Sequence, residues 1–186
     1  PGREKILKGV GLELSLGIER LLSEESMDKL TSLCSTYKDI AVKYRQESNN
    51  IDPLYLNAEK IIRALDNSNW LLGIATGKSR AGLDYLLNRY DMTDLFVTMQ
   101  TSDSAPGKPD PEMLYNAMLD TGVDPSSVFM VGDTTYDMAM AVNAGTGAIG
   151  VSWGYHEPDE LLSAGAETIV NSYEDLFSLL EGKVER

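Results

Sequence analysis

Val128-Phe-Met-Val-Gly132-Asp133-Thr134-Thr135-Tyr136-Asp137-Met-Ala-Met-Ala-Val-Asn-Ala-Gly145 is the stretch that decides how this 186-residue chain is read. Val128 to Val131 is a continuous apolar run, the pattern of a strand buried on both faces. Gly132 breaks it, and Asp133 follows where a parallel strand gives way to a loop, the place where open α/β sheets bind ligands. From Thr135 onward the pattern turns helical, with Met138, Val142 and Gly145 on one face. Asp137 then falls in the first turn, near enough to Asp133 for both carboxylates to face one site. Hard oxygen ligands of this kind suit magnesium. Taken alone, Asp133 reads equally well as a helix N-cap.

Two further stretches change that balance. Trp70-Leu-Leu-Gly-Ile-Ala-Thr76-Gly77-Lys78-Ser79 is a second apolar run, ending in a hydroxyl residue and a glycine. Such a strand end, opening into the free N–H groups of a helix, makes a phosphate cradle. Ala105-Pro-Gly-Lys108-Pro-Asp-Pro111-Glu112 is a rigid turn that pins one lysine just before a helix, with Pro111 suited to the helix start. Singly, Thr76 could be a cap and Lys108 a solvated loop charge. In this order, each at a strand end or a helix start, they form a constellation.

That constellation resembles the haloacid dehalogenase-like superfamily, in particular its phosphoglycolate phosphatase-like branch. Thr76 matches the second motif of that family. Lys108, in Gly-Lys-Pro-Asp-Pro, matches the third, and Gly132-Asp133-Thr-Thr-Tyr-Asp137 with Ala144-Gly145 the fourth. Trp153-Gly-Tyr-His and Ala164-Gly-Ala166 are similar to its closing segments. The likeness covers nearly all of residues 54 to 180. It implies a magnesium-dependent phosphatase acting on a small phosphorylated metabolite through an aspartyl-phosphate. Thr76 and the Gly77 N–H would hold a phosphoryl oxygen, and Lys108 would neutralise charge. Asp133 would bind Mg²⁺ directly, while Asp137 would ligate through water or orient Lys108.

The first motif of the family, Asp-x-Asp-x-Thr, is absent, since no two Asp residues here stand two positions apart. It supplies the nucleophile and the acid/base group from the end of the first strand. The resemblance places Pro1 inside the family's cap, with about 35 to 45 residues upstream of it. It also places the missing strand between the Leu71 and Val128 strands, at the centre of sheet and site. Losing four or five apolar side chains, at ~1.5–3 kcal/mol each, removes roughly 6–15 kcal/mol. A whole domain is stable by only about 5–15 kcal/mol. The chain by itself is therefore expected to be unstable unless something fills that slot, and to be inactive without the nucleophile.

The expected fold is α/β: a Rossmann-like doubly wound parallel sheet with a small helical cap. Strands are expected at Leu71–Ala75, Phe96–Thr98, Val128–Val131, Ala148–Val151 and Thr168–Val170. Helices alternate with them at Arg80–Arg89, Glu112–Asp120, Tyr136–Asn143, Pro158–Ser163 and Tyr173–Leu180. Residues 1–52 read as the cap and 53–186 as the core. In the cap, Leu14, Ile18, Leu21 and Leu22 mark one helix, and Met27, Leu30, Cys34, Tyr37, Ile40, Ala41 and Tyr44 a second. Arg45 to Pro53 reads as a linker, and Leu56–Leu65 as a helix entering the core.

A formal charge of −13 argues against nucleic acid or an anionic membrane as partner. Cys34, the one cysteine, excludes an internal disulfide and fits a reducing cytoplasm. No apolar stretch has the length of a membrane span. Gly73 to Ser79 imitates a P-loop, but with three residues between its glycines where that motif needs four. Lys78 is therefore expected to be exposed, and His156, the only histidine, to be a surface loop residue beside the site. Arg3 and Lys8 are read as solvated charges. A non-catalytic binder of phosphorylated ligands or proteins, and a phosphomutase-like phosphotransferase, stand as alternatives.

Overall fold

A computed structural model describes residues 1–46 and 53–184. The N-terminal part is helical: α1 (Arg3–Leu7), α2 (Leu14–Glu19), a 3-10 turn (Glu24–Lys29) and α3 (Leu30–Gln46). The apolar stripe read on the second cap helix is there, but it faces solvent, with Tyr37, Ile40 and Tyr44 all more than half exposed. The expected linker falls mostly outside the described residues.

The rest alternates helix and strand. In order these are α4 (Ala58–Asn67), β1 (Gly73–Thr76), α5 (Arg80–Arg89), β2 (Thr98–Thr101) and α6 (Glu112–Thr121). Then come β3 (Phe129–Gly132), α7 (Thr135–Ala144), β4 (Gly147–Val151), α8 (Pro158–Ser163), β5 (Thr168–Val170) and α9 (Tyr173–Val184). Every strand pair is parallel, which requires the intervening helices as crossovers. Local signals set several ends: Ser79 caps α5 by accepting the Gly82 N–H, and Gly145 ends α7 at φ 73°.

Helices cover both faces of the three-stranded part. Ala148 of β4 packs with Met113, Met138, Met140 and Leu161 from α6, α7 and α8. Its neighbours Ile149 and Val151 pack on the other face against Ile61, Leu65, Leu176 and Leu180 from α4 and α9. The two-residue period of a strand sends alternate side chains to opposite cores.

The second strand lies further along the chain than expected. Phe96 instead packs with Leu83, Leu87 and Met92, and the strand is built from Thr98, Met99, Gln100 and Thr101. Apolar patterning missed it because buried Thr98 and Gln100 both donate to Asp120 Oδ2, at 2.5 and 2.9 Å. Satisfied polar groups can line a core where unsatisfied ones could not.

As the placing of the absent strand between the Leu71 and Val128 strands implies, the sheet is split. β1 pairs with β2, β3 with β4 and β4 with β5, but β1 and β3 do not pair. Between them lies a cavity of about 510 Å³, lined by Leu72, Ile74, Met130, Val131 and residues of α4, α6 and α9. The buried Trp70 indole N–H, also on its wall, has no hydrogen-bond partner among the described residues. β3 was read as buried on both faces, yet all four of its residues are only half-buried, while β4 is buried from Ala148 to Val151. The reason is the split, because one flank of β3 faces the cavity and not another strand.

Candidate active site

Three loops converge at the carboxyl ends of β1 and β3. Thr76 ends β1, and its Oγ1 accepts the Lys78 N–H at 3.1 Å, shaping the turn into α5. Lys78 is exposed, as expected. Lys108 enters from the Pro-rich turn before α6. It is 8% exposed, and its Nζ donates to Asp137 Oδ1 at 2.5 Å.

Asp137 is 2% exposed. Its Oδ2 accepts from the Thr134 N–H at 3.0 Å and the Thr134 hydroxyl at 2.7 Å, while the Thr134 Oγ1 in turn accepts the Asp137 N–H at 3.3 Å. This reciprocal capping box closes the start of α7. Both Asp137 oxygens therefore have partners within the protein, and Lys108 is held in one place. A charged pair so deep is retained only with complementary hydrogen bonds, which Thr134 supplies.

Asp133 is in a different state. Its Oδ2 accepts the Tyr155 N–H at 3.0 Å. Burial, and next the negative charge of Asp137, push its carboxyl above the usual range, against that N–H and Lys108. A partly desolvated carboxylate beside a second one, with the nearby lysine already bonded elsewhere, is electrostatically suited to a cation. Among the described residues no cluster of three or more His, Cys, Asp or Glu could enclose a metal. Magnesium needs no such cage, since it commonly uses one or two carboxylates with water and substrate phosphate. The donor set fits Mg²⁺ on that basis.

A short N-terminal segment, residues 11–13, lies across all three loops. Gly11, at φ 95°, sits so close to Thr134 that a methyl there would lie 2.9 Å from its Oγ1. Next in sequence, the Leu12 carbonyl would lie 3.4 Å from a methyl on Gly77, and Glu13 presses against Gly107. At Gly11, with its positive φ, and at Gly107 a side chain would not fit without a shift of its neighbour. Leu12 is buried, Tyr136 Oη donates to the Lys8 carbonyl at 2.8 Å, and Arg20 lies over the Tyr136 ring while donating to its hydroxyl. Three consecutive residues thus touch the three loops that the sequence placed 76, 108 and 133 residues into the chain.

His156 corrects an expectation. It is not a surface residue but 7% exposed, packed edge-on against Tyr136 with centroids 5.4 Å apart. Its Nδ1 accepts the Thr135 N–H at 3.1 Å, and its backbone N–H donates to the Asp133 carbonyl at 3.1 Å. The Trp153-Gly-Tyr-His segment was visible as a motif, but nothing in its composition told that it folds back onto Asp133.

With this geometry in place, the comparisons agree. Residues 1–151 match the family model described as haloacid dehalogenase-like hydrolase, and the chain belongs to that family. It is 38% identical over 113 residues to a probable phosphatase, IndB, of Dickeya dadantii, covering 60% of this chain and 49% of that one. It is 27% identical over 176 residues to a phosphoglycolate phosphatase of Vibrio vulnificus, covering 94% of this chain and 75% of that one. The chain thus spans about half the length of the first relative and three quarters of the second. Among solved structures, a haloacid dehalogenase-like hydrolase of Bacteroides fragilis superposes with a TM-score of 0.84 at 23% identity, over 95% of this chain and 83% of that one. A haloacid dehalogenase-like family hydrolase of Streptococcus pneumoniae gives 0.79 at 19% identity, over 97% and 82%. At these identities the structures speak for the α/β fold.

Proposed function

We propose that this chain is the cap and substrate-facing core of a magnesium-dependent phosphatase for a small phosphorylated metabolite, phosphoglycolate or a close analogue, in the cytoplasm. Residues 1–52 form the helical cap, and 53–186 the α/β core. The observation that carries the reading is the convergence of Thr76, the buried Lys108–Asp137 pair and the desolvated Asp133 under one cap segment.

In this reading Thr76 Oγ1 and the Gly77 N–H hold a phosphoryl oxygen at the end of β1. The Lys108 ammonium, fixed by Asp137, faces charge that builds on the phosphoryl group and attacking carboxylate. Asp137 acts by orienting Lys108, because both its oxygens already accept hydrogen bonds. Asp133 holds Mg²⁺, which when bound neutralises phosphate charge and the attacking carboxylate together. The cap segment excludes water, which strengthens each of these interactions. The nucleophilic and acid/base aspartates belong to an Asp-x-Asp-x-Thr strand that these 186 residues do not contain, and the cavity between β1 and β3 is where it fits. Attack of the first aspartate on phosphorus breaks the ester P–O bond, the second aspartate protonating the departing alcohol oxygen. Water, deprotonated by that same aspartate, then attacks the aspartyl-phosphate and releases phosphate and the free carboxylate.

The test is phosphate release from phosphoglycolate and other small monoesters with Mg²⁺, by the chain mixed with a synthetic peptide of an apolar strand ending in Asp-x-Asp-x-Thr. Release that depends on the peptide, on Lys108 and on Asp133 is expected. Turnover by the 186 residues alone would refute the assignment of the nucleophile. Ligand binding without release, with the peptide seated, would favour a non-catalytic binder.

A further inference from the structure

We infer that His156 is a positioning residue for the Asp133 carboxylate, acting through the first turn of α7. This rests on the role proposed above for Asp133.

The loop after β4 grips Asp133 from three sides. The His156 backbone N–H donates to the Asp133 carbonyl at 3.1 Å, and the Tyr155 backbone N–H to its Oδ2 at 3.0 Å. Gly154 packs so tightly on the Asp133 side chain that a methyl there would collide with its Cβ and Oδ2. The imidazole adds the contact that joins this loop to the helix, since Nδ1 accepts the N–H of Thr135, the first residue of α7. The first N–H groups of a helix have no partner within it. Here Thr135 is satisfied by His156 and Asp137 by Thr134, so the turn carrying Asp133 is tied down on both sides.

Accepting that N–H fixes the neutral tautomer with its proton on Nε2. The Nε2–H is buried and has no partner in the protein among the described residues. The ring orientation therefore serves Nδ1 at the expense of its other nitrogen. A histidine kept only to fill space would gain by using both, and an apolar ring would fill the pocket without leaving a donor unpaired. What the histidine supplies is an acceptor at a fixed point beside Tyr136.

Conservative variants separate acceptor from bulk. In H156N, the Asn Oδ1 stands the same number of bonds from the backbone as Nδ1 and can accept the Thr135 N–H. H156F keeps a ring and loses the acceptor. The full chain, with the strand peptide bound, is titrated with MgCl₂ by calorimetry at 10 °C, and exchange of the Thr135 amide proton is followed by NMR. The wild type is expected to bind Mg²⁺ and protect that amide. H156F is expected to lose tenfold to a hundredfold in Mg²⁺ affinity, the usual cost of removing a residue that orients a ligand, together with the protection. H156N is expected to recover most of both. Wild-type affinity in H156F would overturn the inference and leave the Asp133 assignment standing. Equal loss in H156F and H156N would also overturn it, by showing that only the ring's packing matters. Equal affinity in D133N and wild type would instead sink the metal-site reading itself. Should H156F fail to fold, H156N decides, since the inference requires it to stay within a few-fold of wild type.

Discussion

A strand peptide added to this chain should raise its melting temperature, and the size of the effect follows from the split sheet. The cavity between β1 and β3 is apolar on its walls and flanked by two strand edges pointing the same way along a parallel sheet. A peptide of about five residues entering it would bury four or five apolar side chains, a gain of roughly 6–15 kcal/mol. Hydrogen bonds along two edges add about 1 kcal/mol each, with about six within reach of a strand this long. Ordering five residues costs about 5–10 kcal/mol, and association at least about 4 kcal/mol more. At the middle of these ranges the surplus is about 5 kcal/mol, a Kd of about 0.2 mM. At ten times that Kd the folded state gains about 1.4 kcal/mol, or about 3–6 °C for a domain of this size. The assay is a thermal melt followed by circular dichroism, with and without the peptide, beside a control peptide whose central residue is Pro. The Pro peptide lacks a central N–H and should shift nothing. Cooperative melting of the chain alone at 45–65 °C, with no response to either peptide, would refute the claim that the cavity is a strand site whose filling stabilises the fold.

Other outcomes test the site piece by piece. Truncating Lys108 to Ala leaves the Asp137 carboxylate buried and uncompensated, which costs about 3–5 kcal/mol and should lower the melting temperature by about 6–20 °C. K108M/D137N, which removes both charges, should lose less than K108A, and a larger loss in the double variant would contradict the account. G107A places a methyl against Glu13 and should cost about 1–3 kcal/mol by overpacking. Faster amide exchange should then be confined to residues 8–20 and the 105–110 turn, and uniform loss across the core would tell against a local clash. Burial pushes the Tyr173 phenol above its ordinary value of 10.0. Between that value and the raised one the folded state holds more protons than the unfolded, so stability falls as pH rises through the window. Melts from pH 8.5 to 11 should show a shallower alkaline decline in Y173F, and an unchanged slope would count against Tyr173 as its source.

What the sequence determined is what depends on short-range pattern. Helix spans at Arg80–Arg89 and Pro158–Ser163 and the strand at Thr168–Val170 came out as read, because apolar spacing and capping chemistry act within a few residues. The family was legible for a related reason, since Thr76, Lys108, Asp133 and Asp137, the residues proposed to carry the chemistry, each sit in a compact motif at an element's end. What the tertiary structure decided is which distant atoms meet. The second strand was placed too early, at Phe96–Thr98, because its polar residues Thr98 and Gln100 are satisfied by Asp120, far along the chain. The half-burial of β3 depends on its lacking a neighbour across the cavity, and burial is a property of neighbours, not of the residues buried. Likewise Gly11, Leu12 and Glu13 carry no motif, yet they lie against the loops that hold Thr134, Gly77 and Gly107, a contact that exists only in the folded chain. His156 was read as a surface residue because a lone histidine after a strand has no local signature. Its place against Thr135 and Asp133 exists only once β3 and β4 lie side by side and bring the loops that follow them together.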